Sequence, residues 1–347
     1  MPERSRSRLS QARTHGLLAI LLLAACCAGC GAGARTVTST GQGAVPTAPS
    51  SSASSATTTS TTTPLPGAGK PGVTIGDKNF TEQFVLGQLY LLALQAEGFT
   101  VEVNRNIGPT DVTVQALVSG RLAMYPEYLD IWNGSVAGAH QSFRTVAEAY
   151  GAGERYALAH GLQLLHPTPF SDTDAVGVTV GYAAENHLRT IDDLRSVAQT
   201  LTFGASPQFQ QSPTGLPAIQ QAYGFTPAAF KALAVGDQYT ALDQGTVQAA
   251  DVASTDGELA SGDYVLLGDP RRVFGWGNVV PVVSVKVLEA EGPAFAETID
   301  RVSALLSTDV MRELNQEVDL AHQDPNAVAA IAKRFLETHG VIAPTAS

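Results

Sequence analysis

The chain has 347 residues, of which 44% are hydrophobic and 15% charged, with 32 Asp and Glu against 21 Lys and Arg. The formal net charge is −11, and because residues 1–25 hold four Arg against Glu3, the remainder carries about −14. A surface this acidic excludes nucleic-acid binding through basic patches. With all three cysteines at Cys26, Cys27 and Cys30, the folded part has neither an internal disulfide nor a Cys-ligated metal.

Residues 1–25 read as a bacterial export signal: Arg4, Arg6, Arg8 and Arg13 form a positive leader, and the apolar run 17–25 follows. That run is too short for a permanent membrane span, and no later stretch is apolar for long enough, so the mature chain is expected to be soluble apart from its anchor. Leu23-Ala24-Ala25-Cys26 resembles the bacterial lipobox, which makes Cys26 the expected lipidated residue, with Cys30 as the alternative. Two or more acyl chains hold a protein at a membrane far more firmly than one. Residues 31–70 are almost entirely Ser, Thr, Gly, Ala and Pro. They cannot bury enough apolar surface to offset the entropy of ordering, so 26–72 is expected to be anchor and flexible tether.

From Val73 onward, short β-rich runs alternate with amphipathic stretches. Strands are predicted over 73–75, 99–103, 122–125, 174–180, 201–204, 247–253, 264–267 and 279–285. Helices are predicted over 80–97, 112–119, 144–160 and 216–223, with further helices closing the chain. The last of these has Asp324 to cap it, Pro325 for its first turn and Gly340 to stop it. This alternation predicts an α/β protein with open, largely parallel sheets. About 270 folded residues suit two lobes better than one layer. A closed barrel needs eight even units, and the adjacent strands within 264–285 break that rhythm. The expected division is 73–173 plus 278–343 as lobe 1 and 174–277 as lobe 2.

Gly76-Asp77-Lys78-Asn79-Phe80-Thr81-Glu82-Gln83 joins the first strand to the first helix. Asn79 with Glu82 three residues on has the pattern of a capping box. Lys78 beside free N–H groups at a helix start would suit an anion or carboxylate, although an ordinary solvated Lys on a capped turn fits the same pattern. Met124-Tyr125-Pro126-Glu127-Tyr128 ends the third strand, and ligands of open α/β sheets bind at strand carboxyl ends. Tyr128 there offers a π face to a cation; a packed core tyrosine is the alternative.

Taken in order, VTIGDKNFTEQFVLGQLY, GRLAMYPEYLD, LTFGASPQF, GLPAIQQAYGF, ADVASTDGEL, VVPVVSVKVLE and MRELNQEVD resemble the osmoprotectant-binding proteins of ABC importers, the glycine betaine/carnitine/choline class. The resemblance implies a two-lobe periplasmic-binding-protein fold of type II, with a ligand cleft between lobes that close on a hinge. It also implies a partner permease and ATPase, a monomer outside the cell membrane, and no cofactor or metal. It places the family's ligand-facing lysine on Lys78 and its cage tyrosine on Tyr128. The family's Asn-Thr-Tyr reads Asp172-Thr173-Asp174 here, its Arg falls on Ser212, and two further aromatics fall on Ala253 and Gly277, with Trp276 and Asn278 adjacent. The candidate ligand-binding set is therefore Lys78, Asn79, Gln83, Thr110, Asp111, Tyr125, Tyr128, Asp174, Ser212, Thr255, Trp276 and Asn278. Each cation–π wall is worth roughly 0.5–2 kcal/mol. The eroded cage thus implies a larger or non-betaine ligand, aromatic or polyhydroxylated, in a widened cleft.

Two other classes compete. An enzyme is disfavoured, since G-x-S-x-G, H-E-x-x-H, the P-loop and G-x-G-x-x-G are all missing and the seven His are dispersed. A solute-sensing or interaction lipoprotein without a transport role is the remaining alternative.

Overall fold

The structure is a computed structural model that describes residues 64–344 except His140. The expected export signal, Cys26, Cys30 and the tether up to residue 63 lie outside the described residues. The last part of the expected tether, however, is folded. Gly67 N–H donates to Glu97 O at 2.9 Å, and Lys70 Nζ donates to Ala290 O at 2.9 Å. A Cβ on Gly67 would stand 2.2 Å from Phe99 N, so only glycine lets this turn approach so closely.

The first sheet is built from β1 (Val73–Gly76), β2 (Val101–Asn104), β3 (Met124–Tyr128) and β4 (Leu162–Leu164). Between them run α1 (Thr81–Ala96), α2 (Thr110–Val118), α3 (Leu129–Ile131) and α4 (Val146–Ala159). A π-helical turn, Trp132–Val136, follows α3. The second sheet comprises β5 (Asp174–Thr179), β6 (Thr202–Ala205), β7 (Ala229–Ala232), β8 (Ala249–Ala253) and β9 (Tyr264–Leu267). Its helices are α5 (Val180–Glu185), α6 (Pro207–Gln211), α7 (Leu216–Tyr223) and α8 (Gln238–Asp243). The chain then returns to the first sheet as β10 (Val279–Ser284) and ends in α9 (Val285–Glu291), α10 (Pro293–Ser303), α11 (Thr308–Leu320) and α12 (Pro325–Thr338).

The sheet orders are β2-β1-β3-β10-β4 and β7-β6-β8-β5-β9. Each is mixed rather than largely parallel: β1–β2, β1–β3, β6–β7 and β6–β8 are parallel, while β10 and β5 run antiparallel to both their neighbours. The antiparallel strands are the two that arrive directly from the other lobe, without the helical crossover that parallel pairing needs.

The β3 strand runs on through Pro126, past the expected end at residue 125. Pro126 faces Pro281 of β10. With Leu129 N–H donating to Asn278 O, the alternation of the ladder makes the Pro126–Pro281 pair one whose N–H groups would point apart, so neither proline removes a bond from it. The α1 helix is buried against α10, α11 and α12. These three close over it with Phe295, Ile299 and Val302, then Met311, Leu314 and Val318, then Val328, Ile331 and Phe335, each trio at helical spacing. Asp324 caps α12 by accepting from the N–H groups of Asn326 and Ala327. A separate core around Phe203, Phe209, Ile219 and Tyr223 holds the second lobe.

Candidate functional site

The carboxyl ends of β1 and β3 bring the Gly-Asp-Lys-Asn and Tyr-Pro-Glu-Tyr segments together. Lys78 is not a solvated side chain. It is 6% exposed, its Nζ donates to Glu127 Oε1 and, at 2.9 Å, to Thr110 Oγ1, and Glu127 is fully buried. Glu127 also accepts from Thr110 Oγ1 at 3.1 Å, Tyr125 OH at 3.2 Å and Tyr128 N–H at 2.8 Å. A buried ion pair persists when its other lone pairs are filled in this way. The neighbouring Asp77, pushed up to about 7 by burial, accepts the N–H of Asn106 at 2.6 Å and fixes the loop after β2.

The expected capping box does not form. The N-cap position of α1 is Phe80, with no side-chain cap. Glu82 turns inward, accepting from Tyr128 OH at 2.8 Å and Asn315 Nδ2 at 3.2 Å, and burial raises its carboxyl. Two side-chain donors in a dry setting outcompete an exposed backbone N–H. Gln83 Nε2 donates to Tyr128 OH at 3.3 Å. Tyr128 itself is 5% exposed and belongs to the lobe core as well as to the cleft wall.

A chamber of about 680 Å³ opens between the lobes. Lys78, Phe80, Thr110, Tyr128 and Asp130 wall it from one side, and Asp172, Asp174, Thr214, Ala253 and Phe274 from the other. Phe80 and Tyr128 lie with ring centroids 6.0 Å apart. A second chamber of about 390 Å³ shares Phe80, Asp172 and Ala253 with the first and continues to Glu82, Thr255, Asp256, Glu258 and Asn315.

Of the sequence-derived candidates, Lys78, Asn79, Thr110, Tyr128 and Asp174 line the first chamber, and Thr255 the second. Gln83 and Tyr125 stand behind the wall, holding Tyr128 and Glu127. Asp111, Ser212, Trp276 and Asn278 line neither chamber. Ser212 Oγ lies 3.0 Å from Thr214 Oγ1, and Thr214 is the residue on the wall. Trp276 does not rebuild an aromatic face: its Nε1 donates to Phe143 O at 3.0 Å, and the Arg272 guanidinium lies 4.2 Å from its ring centroid. Asn278 Nδ2 donates to Thr168 O and Phe170 O and so ties together the two segments that cross between lobes. Gly277 does not widen the cleft either. A Cβ there would lie 1.7 Å from Asp172 O, because the crossover strands pair directly through Asp172 N–H and Gly277 O at 3.0 Å.

Six of the first-chamber wall residues named above lie outside the candidate set: Phe80, Asp130, Asp172, Thr214, Ala253 and Phe274. Asp172 stood beside Asp174 in the segment already singled out, and Phe80, 38% exposed at a helix start, is an aromatic that no core claims. Phe274 and Asp130 carry no local signal. Burial pushes Asp130 up to about 7 and raises Asp172 well above the usual carboxylate range, with the charge of Glu82 adding to the latter. Burial alone raises Asp174.

Residues 71–338 match a family described as the substrate binding domain of the ABC-type glycine betaine transport system. The chain belongs to this family. Its similarity to the glycine-betaine-binding protein of Pseudomonas aeruginosa is 31% identity over 285 residues, covering 77% of this chain and 88% of that one. Among solved structures, apo YehZ from Escherichia coli is 28% identical with a TM-score of 0.67, covering 78% of this chain and 99% of that one. A crystal structure titled as a glycine betaine/carnitine/choline ABC transporter has a TM-score of 0.72 at 22% identity, again covering 78% and 99%; this one speaks to fold alone. As a glycine betaine-type substrate-binding protein, the chain is a solute receptor of a transport system rather than an enzyme, and its two lobes are those of the periplasmic-binding-protein fold. No helix among the described residues is long and apolar enough to cross a membrane.

Proposed function

We propose that this substrate-binding protein captures a small solute between its lobes, encloses it by bending at the two crossover segments, and delivers it to a permease and ATPase of the ABC class. The observation that carries the reading is the 680 Å³ chamber, whose walls are divided between loops of the two sheets, so that a bound solute would bridge the lobes. That volume falls within the roughly 300–1,000 Å³ typical of small-molecule sites. Phe80, Tyr128 and Phe274 supply aromatic faces for a cationic group, and Thr110, Thr214 and the Asp side chains supply polar contacts. Lys78, already paired with Glu127, serves as a fixed part of the wall. The test is to identify by mass spectrometry the solute that co-purifies with the protein and to titrate it back by calorimetry. A stoichiometric small solute is expected, and a protein that binds none of the solutes of its own cell extract overturns the reading.

We further propose that the receptor is lipid-anchored through Cys26 at the outer face of the cell membrane and works as a monomer. Cys26→Ala is expected to move it from the membrane to the soluble fraction. Retention at the membrane would exclude Cys26 as the anchor.

A further inference from the structure

The walls of the two chambers carry seven carboxylates and one basic side chain. Asp130, Asp172 and Asp174 line the first chamber, and Glu82, Asp172, Asp256, Glu258 and Asp319 the second. The basic residue, Lys78, is already paired with Glu127. Like-charge repulsion joins the acids into one series: Asp130 feels Asp174, Asp172 feels Asp130, Glu82 and Asp256, and Glu82 feels Asp256. Two acceptors in this series have no donor. Asp172, on the wall shared by both chambers, has a buried Oδ1 with no hydrogen-bond partner. Asn315, 5% exposed and on the wall of the second chamber, has the same lack at Oδ1. Its orientation is fixed, because Nδ2 is engaged by Glu82 Oε2 and Thr255 O. Buried acceptors without donors cost free energy that a donor-bearing ligand recovers. A ligand complementary to these walls is a cation that carries N–H donors.

We propose that the two chambers together hold one elongated organic dication, with one cationic head against the aromatic faces and Asp174 of the first chamber and an N–H-bearing amine or guanidine head among Asp256, Glu258 and Asn315 in the second. This rests on the solute-capture reading above and narrows it to a ligand class. A zwitterion such as glycine betaine would bring its carboxylate into a wall of carboxylates whose lysine is already engaged. The dication meets the acids with charge-assisted bonds and supplies the donors that Asp172 and Asn315 lack.

Isothermal titration of the purified full chain with cadaverine, agmatine, choline and glycine betaine tests this. Cadaverine or agmatine is expected to bind roughly tenfold more tightly than the other two. Asp256→Asn is expected to weaken that binding about tenfold, and Glu258→Gln, on an exposed side chain, roughly threefold, with choline unchanged in both. Glycine betaine or choline binding as tightly as the dications overturns the proposal and leaves solute capture intact. Binding of none of the four probes also overturns it, while a co-purified solute would still uphold the capture reading. Dication affinity indifferent to both substitutions overturns the role of the second chamber.

Discussion

The two sides of the cleft are built on opposite principles. On the side of the first sheet, the wall is a closed network in which Lys78, Glu127, Thr110, Tyr125, Tyr128, Gln83 and Glu82 satisfy one another. Across the cleft, Asp172 of the crossover keeps a buried Oδ1 without a partner, and Asp174 at the start of β5 stands open to the chamber. A wall satisfied within itself is a rigid frame, whereas an unsatisfied wall leaves its chemistry for whatever enters. Ligand choice therefore resides mainly with the acids at Asp172 and Asp174, and shape with the first-sheet network.

Substitutions can break this contrast. The largest effect is expected from Glu127→Ala, which strands Lys78 as a buried, unpaired charge and should cost about 3–5 kcal/mol of stability in denaturant titration. Equivalent removal of Asp174, which faces solvent more openly, should leave stability within about 0.5 kcal/mol. Gly277→Ala comes next: its Cβ would collide with Asp172 O, and a loss of about 3 kcal/mol is expected, with Tm as the measurement. Tyr128→Phe keeps the ring in the core but takes the donor from Glu82, for an expected loss of about 1–2 kcal/mol by the same measurement. It is a cleaner test of the wall than Tyr128→Ala, because Tyr128 is a core residue whose removal would leave a cavity.

A further test is a dependence on pH. Asp77 and Asp130, both held at about 7, and Asp256, at about 6, bind protons more tightly in the folded chain than in the unfolded one. Stability from these groups is therefore present near pH 4 and declines as pH rises through 6 and 7. Thermal denaturation should give a higher Tm at pH 5 than at pH 8. The opposite trend would mean that these carboxyls ionise freely in the fold.

Much of this molecule was legible in its sequence where local chemistry decides structure. The amphipathic helices at the end of the chain and the cap at Asp324 read correctly as local patterns. What escaped depends on distant partners. Glu82 has the spacing of a capping residue, yet Tyr128 and Asn315 draw it inward. Pro126 looks like a strand terminus until Pro281 is placed opposite it. Trp276 looks like a spare aromatic wall, but Phe143 and Arg272 hold it elsewhere. Phe274 joins the cleft only through the return of the second lobe, which no short window of sequence contains.

The folded turn at residues 65–70 has a mechanical consequence. It packs beside the amino ends of β1 and β2, at Glu97, Phe99 and Ala290, whereas the cleft lies beyond the carboxyl ends of β1 and β3. Traction on the preceding segment would load the helical back of the first lobe through Gly67 and Lys70 and bypass the crossover pair at Asp172 and Gly277. With the chain held through the proposed lipid anchor, the proposed closure of the lobes would proceed without working against the tether.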